Sequence, residues 1–427
     1  MCGLAGFIGI KKKIPKIGEI KNCKLSLKRR GPDTSGVFRK NINNKSILLI
    51  HTRLSVVDLN RNSSQPFSDS NGTLVFNGMI YNYIELKNDL KKKGEKFKTT
   101  SDTEVLLKLL NTYQEKALEM IDGMWAFAYF NHKNNYLLLS RDIFGEKPLY
   151  YQSNDNNFYF SNSIKALQKL SKKKLGLNKQ KIKNFLNYQD KIYGMDNETF
   201  FDDIYQFPTS SYLKINLNKD INLKFSKFWR LNIKHNKKKF DEACKEVKKI
   251  TKDVLHTRTR SDVQNSVLVS GGLDSNTIVS NARKFSKING YSLLSTDQHY
   301  DERRQIKSSE KLNKFKTKFI KSNNSGSLNL LENIIEYGYS PLLTPTALGL
   351  GLLCQKIKRD KNRVLLTGIG GDELFCGYYV NFLSHILSYK NNKLFNQKYS
   401  FWKKNIKKFI RNPNLKNFKT AGKLENK

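Results

Sequence analysis

The stretch NSVLVSGGLDSNTIV, residues 265–279, places an apolar strand directly before a glycine-rich turn and a helix. The surrounding sequence repeats this alternation. A helix is predicted at 241–256, and further strands are predicted at 291–295 and 364–368, with helix between them. Strands that alternate with helices indicate right-handed crossovers and a parallel, doubly wound sheet. The second half of the chain is therefore predicted to be an α/β domain.

The first half of the chain has a different pattern, in which short strands are separated by turns and few helices intervene. Strands are predicted at residues 2–10, 46–59, 73–82, 123–130, 136–142 and 157–162. A helix is predicted from Glu104 to Tyr113, because apolar residues recur there at helical spacing and Ser101 with Glu104 forms a capping-box pattern. A second helix is predicted at 83–92. Antiparallel sheets packed with a few helices, an α+β architecture, fit this pattern.

Length and cysteine content indicate the class of protein. A chain of 427 residues exceeds the roughly 250–300 residues at which a single core stops growing, so two domains are predicted. Residues 177–239 are polar and rich in lysine, and we interpret them as a connector with isolated strands such as 211–217. The five cysteines show no paired spacing, which argues against a disulfide framework or a zinc site and favours a reducing, cytoplasmic location. We expect neither a membrane span nor a signal peptide, since no sufficiently long apolar run is present.

The net charge of +40, from 77 Lys and Arg against 37 Asp and Glu, is the strongest compositional signal. Clustered cations would indicate nucleic-acid binding through counterion release. The basic residues are instead spread along the chain among many asparagines, without an RNP, zinc-finger or helix-turn-helix pattern. We interpret the charge as a solvated surface, and we rank nucleic-acid binding last among the alternatives.

The chain begins MCGLAGFIG, residues 1–9, with a cysteine at position 2. Removal of Met1 would leave Cys2 with the free α-amino group. A thiolate is the nucleophilic form of cysteine, and an α-amine with a pKa of about 8 can act as its base, so nucleophile and base would share one residue. Taken alone, a cysteine at this position is also compatible with chance.

Further motifs follow in order behind Cys2. They read RRGPDTSG at 29–36, HTRLSVVD at 51–58, NGMIYN at 77–82, SDTE at 101–104 and RDIFGEKPLYY at 141–151. Together with MCGLAGF they resemble the class II glutamine amidotransferase domain. The resemblance implies an Ntn-type αββα sandwich over residues 1–215.

The resemblance also implies roles for individual residues. Cys2 is implied as the nucleophile, with the Asn77 side chain and the Gly78 backbone as the oxyanion hole. Arg53 and Asp102 are implied to bind the carboxylate and the α-amine of glutamine. The resemblance also implies that Asn77, Gly78 and Met79 belong to the glutamine site, and Met79 stands where asparagine synthetases usually have glutamate. Read alone, Asp102 is also explained as a first-turn carboxylate and Asn77-Gly78 as a turn.

The loop at 270–275, S-G-G-L-D-S, has the features of a phosphate site. Glycines let backbone N–H groups approach a phosphate, serine hydroxyls donate to it, and the start of the following helix favours negative charge. The loop lacks the G-K-[ST] of a Walker motif and resembles the pyrophosphate (PP) loop of N-type ATP pyrophosphatases. A second glycine-rich loop lies in VLLTGIGGDELFCGY at 364–378, and its Asp372 is a candidate to share Mg²⁺ with Asp274, since Mg²⁺ usually takes one or two carboxylates with phosphate oxygens. Taken alone, these loops are also compatible with a structural turn and a solvated helix start.

The two loops behind the glutaminase motifs resemble the synthetase domain of glutamine-dependent asparagine synthetase, here over residues 236–427. The resemblance implies a carbon–nitrogen ligase of asparagine biosynthesis that uses ATP and Mg²⁺. Aspartate is adenylated to β-aspartyl-AMP with release of pyrophosphate, and ammonia from glutamine displaces AMP to give asparagine. By the resemblance, ATP binds at Leu268, Ser270, Gly271, Gly272, Asp274, Ser275, Thr367 and Gly368, and the metal binds at Asp274 and Asp372.

Two departures from the asparagine synthetase pattern keep alternatives open. Ile369 stands where the family pattern S-G-E-G-x-D-E has a glutamate, and an R-V-P-F-L-D-type segment of the aspartate pocket has no match, so the second domain is expected to be incomplete. The alternatives are an asparagine synthetase-like amidotransferase acting on another carboxylate, and a glutaminase-only or degenerate relative. The expected partners are glutamine, aspartate and ATP, with no membrane, and a homodimer is left open.

Overall fold

The computed structural model describes residues 1–154, 156–188, 196–233, 238–294, 297–298, 301–321, 327–344, 346–410 and 416. Its strands are β1 Gly3–Ile10, β2 Thr34–Ile42, β3 Lys45–Arg53, β4 Phe67–Ser68, β5 Gly72–Ile80, β6 Gly123–Asn131, β7 Tyr136–Arg141, β8 Tyr150–Asn154, β9 Asn157–Ser161, β10 Tyr205–Gln206, β11 Ser211–Asn216, β12 Phe225–Lys227, β13 Asn265–Leu268, β14 Ile288–Leu294, β15 Thr317–Lys321 and β16 Val364–Leu366. Its α-helices are α1 Ile17–Leu27, α2 Tyr83–Lys92, α3 Asp102–Tyr113, α4 Ile164–Ser171, α5 Lys179–Tyr188, α6 Phe240–Arg258, α7 Leu273–Ala282, α8 Arg303–Asn313, α9 Ser327–Gly338, α10 Thr346–Arg359, α11 Gly371–Phe375, α12 Tyr379–Leu387 and α13 Phe395–Asn405. Within the described ranges, no helix combines the length and apolar character needed to span a bilayer.

Strands β1 to β12 form two antiparallel sheets that stack face to face. The first sheet has the order β10-β8-β9-β1-β3-β2, and the second has the order β12-β11-β7-β6-β5-β4. Apolar side chains such as Leu49 and Phe130 fill the space between the sheets. Leu106 and Phe127 pack in the layer between the second sheet and the helices α2 and α3. On the other side, Leu27 of α1 packs against the first sheet. Burial of each such side chain stabilises the folded state by about 1.5–3 kcal/mol. The two stacked sheets, with helices on their outer faces, confirm the predicted αββα sandwich.

Helix α3 begins after Ser101, whose hydroxyl accepts a hydrogen bond from Thr103 N–H at 3.1 Å. Glu104 does not complete the predicted capping box, because its carboxylate accepts hydrogen bonds from the N–H groups of Lys98 and Thr99. The chain before the helix folds back over the first turn, and Ser101 N–H donates to the Thr99 hydroxyl instead. The capping prediction is therefore right for Ser101 and wrong for Glu104.

The predicted connector contains strands of the second sheet. β11 pairs with β7, with Leu213 opposite Leu139, and β12 pairs with β11. Leu213 and Ile215 are buried between the sheets, whereas Lys214 is exposed. This alternation is that of a half-buried strand, although the polar residues around it hide the signal. The interpretation of 211–217 as an isolated strand in a connector is therefore wrong.

Strands β13 to β16 form a parallel sheet of order β15-β14-β13-β16, which confirms the predicted α/β fold. Helices cover both faces. Val267 and Leu366 pack with Val279 of α7 on one face, and Leu293 packs with Leu353 of α10 on the other. The sequence pattern misses the edge strand β15, because TKFIK is short and carries two lysines.

The two halves of the chain meet along a polar interface. Ion pairs across it join Arg258 to Asp122, Arg260 to Glu85, Arg363 to Asp33 and Lys165 to Glu336. The three arginines also line a cavity between the halves. This interface therefore places the residues that precede β13 and β16 of the parallel sheet against the αββα sandwich.

Candidate active sites

The first cavity, of about 430 Å³, lies where the two halves meet. Its lining includes all the residues predicted for glutamine binding and hydrolysis, namely Cys2, Arg53, Asn77, Gly78, Met79 and Asp102. They come from four separate parts of the chain: the N-terminus, the end of β3, β5 and the start of α3. The sandwich thus brings the quoted motifs together at one place.

Cys2 precedes β1, with its thiol against the segment that follows β3. Leu54 N–H donates to Sγ at 3.4 Å, while the Asn162 amide donates to the Cys2 carbonyl at 2.9 Å. Burial raises the pKa of the Cys2 thiol, although the nearby α-amino group and Leu54 N–H act to lower it. The buried thiol therefore needs a base to become a nucleophile. Burial lowers the pKa of the Met1 α-amino group to about 5, which favours the uncharged form of the amine beside the thiol.

Asn77 lies on β5, and only 1% of its surface is exposed. Within the described residues, neither its amide nitrogen nor its amide oxygen has a hydrogen-bond partner. An unpaired buried polar group costs about 1–3 kcal/mol, so such an amide on a cavity wall points to a ligand. Gly78 has no room for a side chain, because a Cβ there would lie 2.1 Å from the carbonyl oxygen of Met124. The Asn77 amide is thus placed for a polar group that enters the cavity.

His51 holds the strand on which Asn77 lies. Its Nε2 is 3.1 Å from the carbonyl oxygen of Phe76, the residue before Asn77. Burial lowers the pKa of His51 to about 3, so the ring is neutral, and the carbonyl partner assigns the proton to Nε2. Nothing in the sequence pattern points to this pairing, because the partner lies 25 residues away.

Arg53 is held by the segment after β3. Its guanidinium donates to the carbonyls of Asn60 at 2.7 Å, Val57 at 3.3 Å and Asp58. These bonds orient the planar group, which offers five N–H donors in total. Because Arg53 also lines the cavity, the arrangement suits a carboxylate that enters beside it.

Asp102 opens α3 and faces the same cavity. Its carboxylate accepts hydrogen bonds from Ile80 N–H at 3.1 Å and from the Ser101 hydroxyl at 3.4 Å. Burial raises the pKa of Asp102 to about 6, although these hydrogen bonds and the charge of Arg53 act to lower it. A role as a first-turn carboxylate does not account for this place on the cavity wall. A buried carboxylate here suits the ammonium group of an amino acid.

The second half of the chain closes the first cavity. Its contribution includes Arg258 and Arg260, Cys354 of α10 and β16 as far as Leu366. Thr367, the next residue, lines a second cavity, and so does Leu353 of α10. The carboxyl end of β16 and helix α10 therefore lie between the two cavities.

The second cavity, of about 630 Å³, lies at the carboxyl ends of β13 and β16. Of the residues predicted to bind ATP and metal, it is lined by Leu268, Ser270, Gly272, Asp274, Ser275, Thr367, Gly368 and Asp372. Gly271 is the exception, and its N–H donates to Glu302 at 3.0 Å. The fold thus brings the predicted nucleotide residues together, apart from Gly271.

The loop at 270–275 is shaped by its own hydroxyl groups. Ser270 N–H donates to Ser275 Oγ at 3.1 Å, and Gly272 N–H donates to Ser270 Oγ at 3.2 Å. Because Gly271 N–H donates a hydrogen bond to the Glu302 carboxylate, this loop already presents a backbone donor to an anionic group. No sequence signal marks Glu302, because it lies in a separate segment beyond β14.

Asp274 and Asp372 lie against glycines at the second glycine-rich loop. A Cβ on Gly371 would lie 2.6 Å from Asp274 Cγ, and one on Gly377 would lie 1.9 Å from Asp372 Oδ1. No group of three or more His, Cys, Asp or Glu side chains in the described part of the chain could hold a metal. Two carboxylates are, however, the set that Mg²⁺ shares with phosphate oxygens. The donor set therefore fits Mg²⁺ that arrives with a nucleotide.

Ile369 stands at the junction of the second cavity and an adjoining cleft. Its side chain is 77% exposed and lines both spaces. The cleft, of about 1030 Å³, is walled by leucines such as Leu293, Leu343 and Leu350. Among the described residues that line it, no side chain is charged.

Comparison with known families and proteins adds to this geometry. Residues 1–229 match the family model described as a glutamine amidotransferase domain, and residues 246–425 match the model described as asparagine synthase. The glutamine-hydrolyzing asparagine synthetase 1 of Bacillus subtilis (strain 168) is 31% identical over 386 residues, which cover 88% of this chain and 59% of the relative. The putative glutamine-hydrolyzing asparagine synthetase 2 of Methanocaldococcus jannaschii is 32% identical over 425 residues, with 91% and 77% covered. Amidase chry2 of Gibberella zeae is 25% identical over 412 residues, with 88% and 59% covered.

Proposed function

The chain belongs to the family of glutamine-hydrolysing asparagine synthetases, and on this premise we propose that it is a ligase that uses glutamine to amidate a carboxylate activated by ATP. The observation that carries the proposal is the first cavity. There Cys2 and the unpartnered amide of Asn77 share one space with β16, the strand that leads to Thr367 and Gly368 of the second cavity. The names of the relatives suggest the class of reaction, and the two cavities suggest which residues perform it.

In the first cavity, Cys2 supplies both the nucleophile and its base. Once Met1 is removed, the α-amine of Cys2 takes the thiol proton and Sγ attacks the amide carbon of glutamine. The oxygen of the tetrahedral intermediate accepts hydrogen bonds from the Asn77 side chain and Gly78 N–H. The carbon–nitrogen bond then breaks, and the amine returns its proton to the leaving nitrogen. Ammonia departs, and water hydrolyses the glutamyl thioester to glutamate.

Arg53 and Asp102 hold glutamine at its amino-acid end. The guanidinium of Arg53 binds the α-carboxylate, and the carboxylate of Asp102 binds the α-ammonium. Met79 provides an apolar wall beside them, since it lines the same cavity from β5. These contacts place the side-chain amide of glutamine against Cys2.

The second cavity is proposed to bind ATP. The N–H groups and hydroxyls of the 270–275 loop bind the phosphates, with Thr367 and Gly368 beside them. Asp274 and Asp372 would hold Mg²⁺, which neutralises charge on the phosphates when bound. An oxygen of the acceptor carboxylate attacks the α-phosphorus, and the bond to pyrophosphate breaks. Ammonia then attacks the acyl carbon, and AMP leaves to give the amide.

Ammonia passes between the cavities along β16 and α10 in this proposal. Leu366 and Cys354 line the first cavity, whereas Thr367 and Leu353 line the second, so the end of β16 and helix α10 lie between the two cavities. A route shielded from water keeps ammonia unprotonated and therefore nucleophilic.

Aspartate is the acceptor that the names of the relatives favour. A different carboxylate is the second candidate, and the surroundings of Ile369 favour it. The cleft beside Ile369 offers apolar side chains and, among the described residues, no charge to bind the amino-acid end of aspartate. The amidase relative is consistent with chemistry beyond aspartate.

Exchange of pyrophosphate into ATP in the presence of single carboxylates tests the proposal. Exchange that depends on aspartate would establish the first candidate, and exchange that depends on a carboxylate with an apolar substituent would establish the second. Asp274→Asn serves as the control and should show no exchange with either. Glutamine hydrolysis without exchange for any carboxylate would refute the ligase proposal and leave a glutaminase.

A further inference from the structure

Residues 54–60, which we name the glutamine loop, contact both the nucleophile and the carboxylate-binding residue. At its start, Leu54 N–H donates to Cys2 Sγ at 3.4 Å. Further along, three of its carbonyls accept hydrogen bonds from the guanidinium of Arg53. A shift of this loop would therefore move the partners of Cys2 and Arg53 together.

The second half of the chain holds the glutamine loop at two points. Asp262 Oδ2 accepts a hydrogen bond from Asp58 N–H at 2.7 Å, and Asp262 N–H donates to the Val56 carbonyl at 2.9 Å. Arg363 donates to the Ser55 carbonyl at 2.9 Å. Asp262 follows α6 and Arg363 directly precedes β16, so both belong to the part of the chain that builds the nucleotide cavity.

Arg363 is itself anchored by Asp33. Its second guanidinium nitrogen donates to Asp33 Oδ1 at 3.1 Å, and Ser55 N–H donates to Asp33 Oδ2 at 2.8 Å. Burial raises the pKa of the Asp33 carboxyl, but the hydrogen bonds from Arg363 and Ser55 outweigh it and hold this pKa below its ordinary value. The pair is charged at neutral pH and bidentate, which makes it directional.

We propose that Asp262 and Arg363 are positioning residues for the glutamine site. By holding the glutamine loop, they keep Arg53 in the orientation that binds the carboxylate of glutamine. The inference rests on the proposed function, since it assigns the glutaminase reaction to the first cavity. Its consequence is that two residues outside the αββα sandwich set the affinity for glutamine.

The test is the steady-state kinetics of glutamine hydrolysis by the full chain. Asp262→Ala and Arg363→Ala should each raise KM for glutamine at least about tenfold and lower kcat less, because Arg53 binds the part of glutamine that does not react. Asp262→Asn keeps an oxygen acceptor for Asp58 N–H and should restore KM to near the wild-type value. Arg363→Gln keeps a polar side chain but removes the charge and the bidentate pairing with Asp33, and gives the same test if Arg363→Ala unfolds.

Lys165→Ala is the matched control, because it removes another ion pair between the halves, to Glu336 at 2.6 Å, that does not touch the glutamine loop. Its KM should equal that of the wild type, and thermal unfolding shows which variants are folded. An unchanged KM in folded Asp262→Ala and Arg363→Gln would overturn the positioning role and leave the proposed function standing. An equal rise in Lys165→Ala would overturn it as well. A wild-type chain that hydrolyses no glutamine would instead refute the proposed function itself.

Discussion

The Asn77→Ala substitution removes the side-chain donor that we assign to the oxyanion hole. The Asn77 amide is buried and has no partner among the described residues, so the folded protein loses no hydrogen bond when it is removed. Asn77 also lines an existing cavity, so its truncation adds little new void. Relief of an unpaired polar group is worth about 1–3 kcal/mol, and the free energy of unfolding should therefore stay level or rise. Removal of one oxyanion donor should lower kcat by about 10²–10³-fold, or about 2.7–4 kcal/mol.

Asn131→Ala is the matched control for this prediction. Asn131 is also buried, at the end of β6, but its amide nitrogen donates to the Tyr129 hydroxyl at 2.9 Å and its amide oxygen accepts from Asn134 N–H at 2.8 Å. Its removal breaks both of these hydrogen bonds, although the Tyr129 hydroxyl keeps its bond to Asn111 Oδ1 at 2.8 Å, so Tm should fall while kcat for glutamine hydrolysis stays unchanged. The two asparagines are thus expected to show opposite patterns.

The assay is glutamate release at saturating glutamine, with thermal unfolding of the same samples. A near-native kcat in Asn77→Ala would refute its role as an oxyanion donor. A fall in Tm as large as that of Asn131→Ala would show that the Asn77 amide has a structural partner, and the reasoning from its unpaired state would be wrong.

Three further predictions concern the same two cavities. Cys2→Ala should abolish the glutamine-driven reaction while ammonium still drives AMP formation, and loss of both activities would contradict the assignment of separate reactions to separate cavities. Asp274→Asn should stop the release of AMP and pyrophosphate yet leave glutamate release intact, and an unchanged yield of AMP would remove Asp274 from the metal site. KM for glutamine should rise as the pH falls through about 6, because burial raises the pKa of Asp102 to about 6 and the protonated carboxyl no longer pairs with ammonium. In Asp102→Asn the KM should be high at every pH, and a wild-type KM that is flat across this range would argue against the pairing.

The parts of the molecule that sequence predicts well are those whose signal is local. The apolar run at 265–269, the loop that follows it and helix α7 identify a strand-loop-helix unit of a parallel sheet without knowledge of any partner. Asn77 and Gly78 belong to one motif on one strand, and Asp102 directly follows a capping serine. Because these motifs lie at strand and helix ends, packing of the sandwich brings them to one cavity.

The parts that sequence misses depend on distant partners. Arg363 pairs with Asp33 across 330 residues, and Asp262 contacts Asp58 across 204 residues, so no local pattern reveals either contact. Glu104 illustrates the same limit at short range, since its bonds to residues 98 and 99 depend on how the chain enters α3. A local pattern identifies an element and its exposed face, but the choice among several polar partners is made by tertiary packing.

The central claim is that one chain joins glutamine hydrolysis to ATP-dependent amidation, and it is tested most directly by following the amide nitrogen. The protein is incubated with Mg-ATP, glutamine labelled at its amide nitrogen, unlabelled ammonium, and either aspartate or the carboxylate that supports pyrophosphate exchange. Glutamate, AMP and the amide product are then quantified together by mass spectrometry. We predict that AMP equals the amide product, that most of this product carries the label, and that the amount of labelled product matches the glutamate. Labelled ammonia released into solution with glutamate, and no AMP with any carboxylate, would contradict the claim.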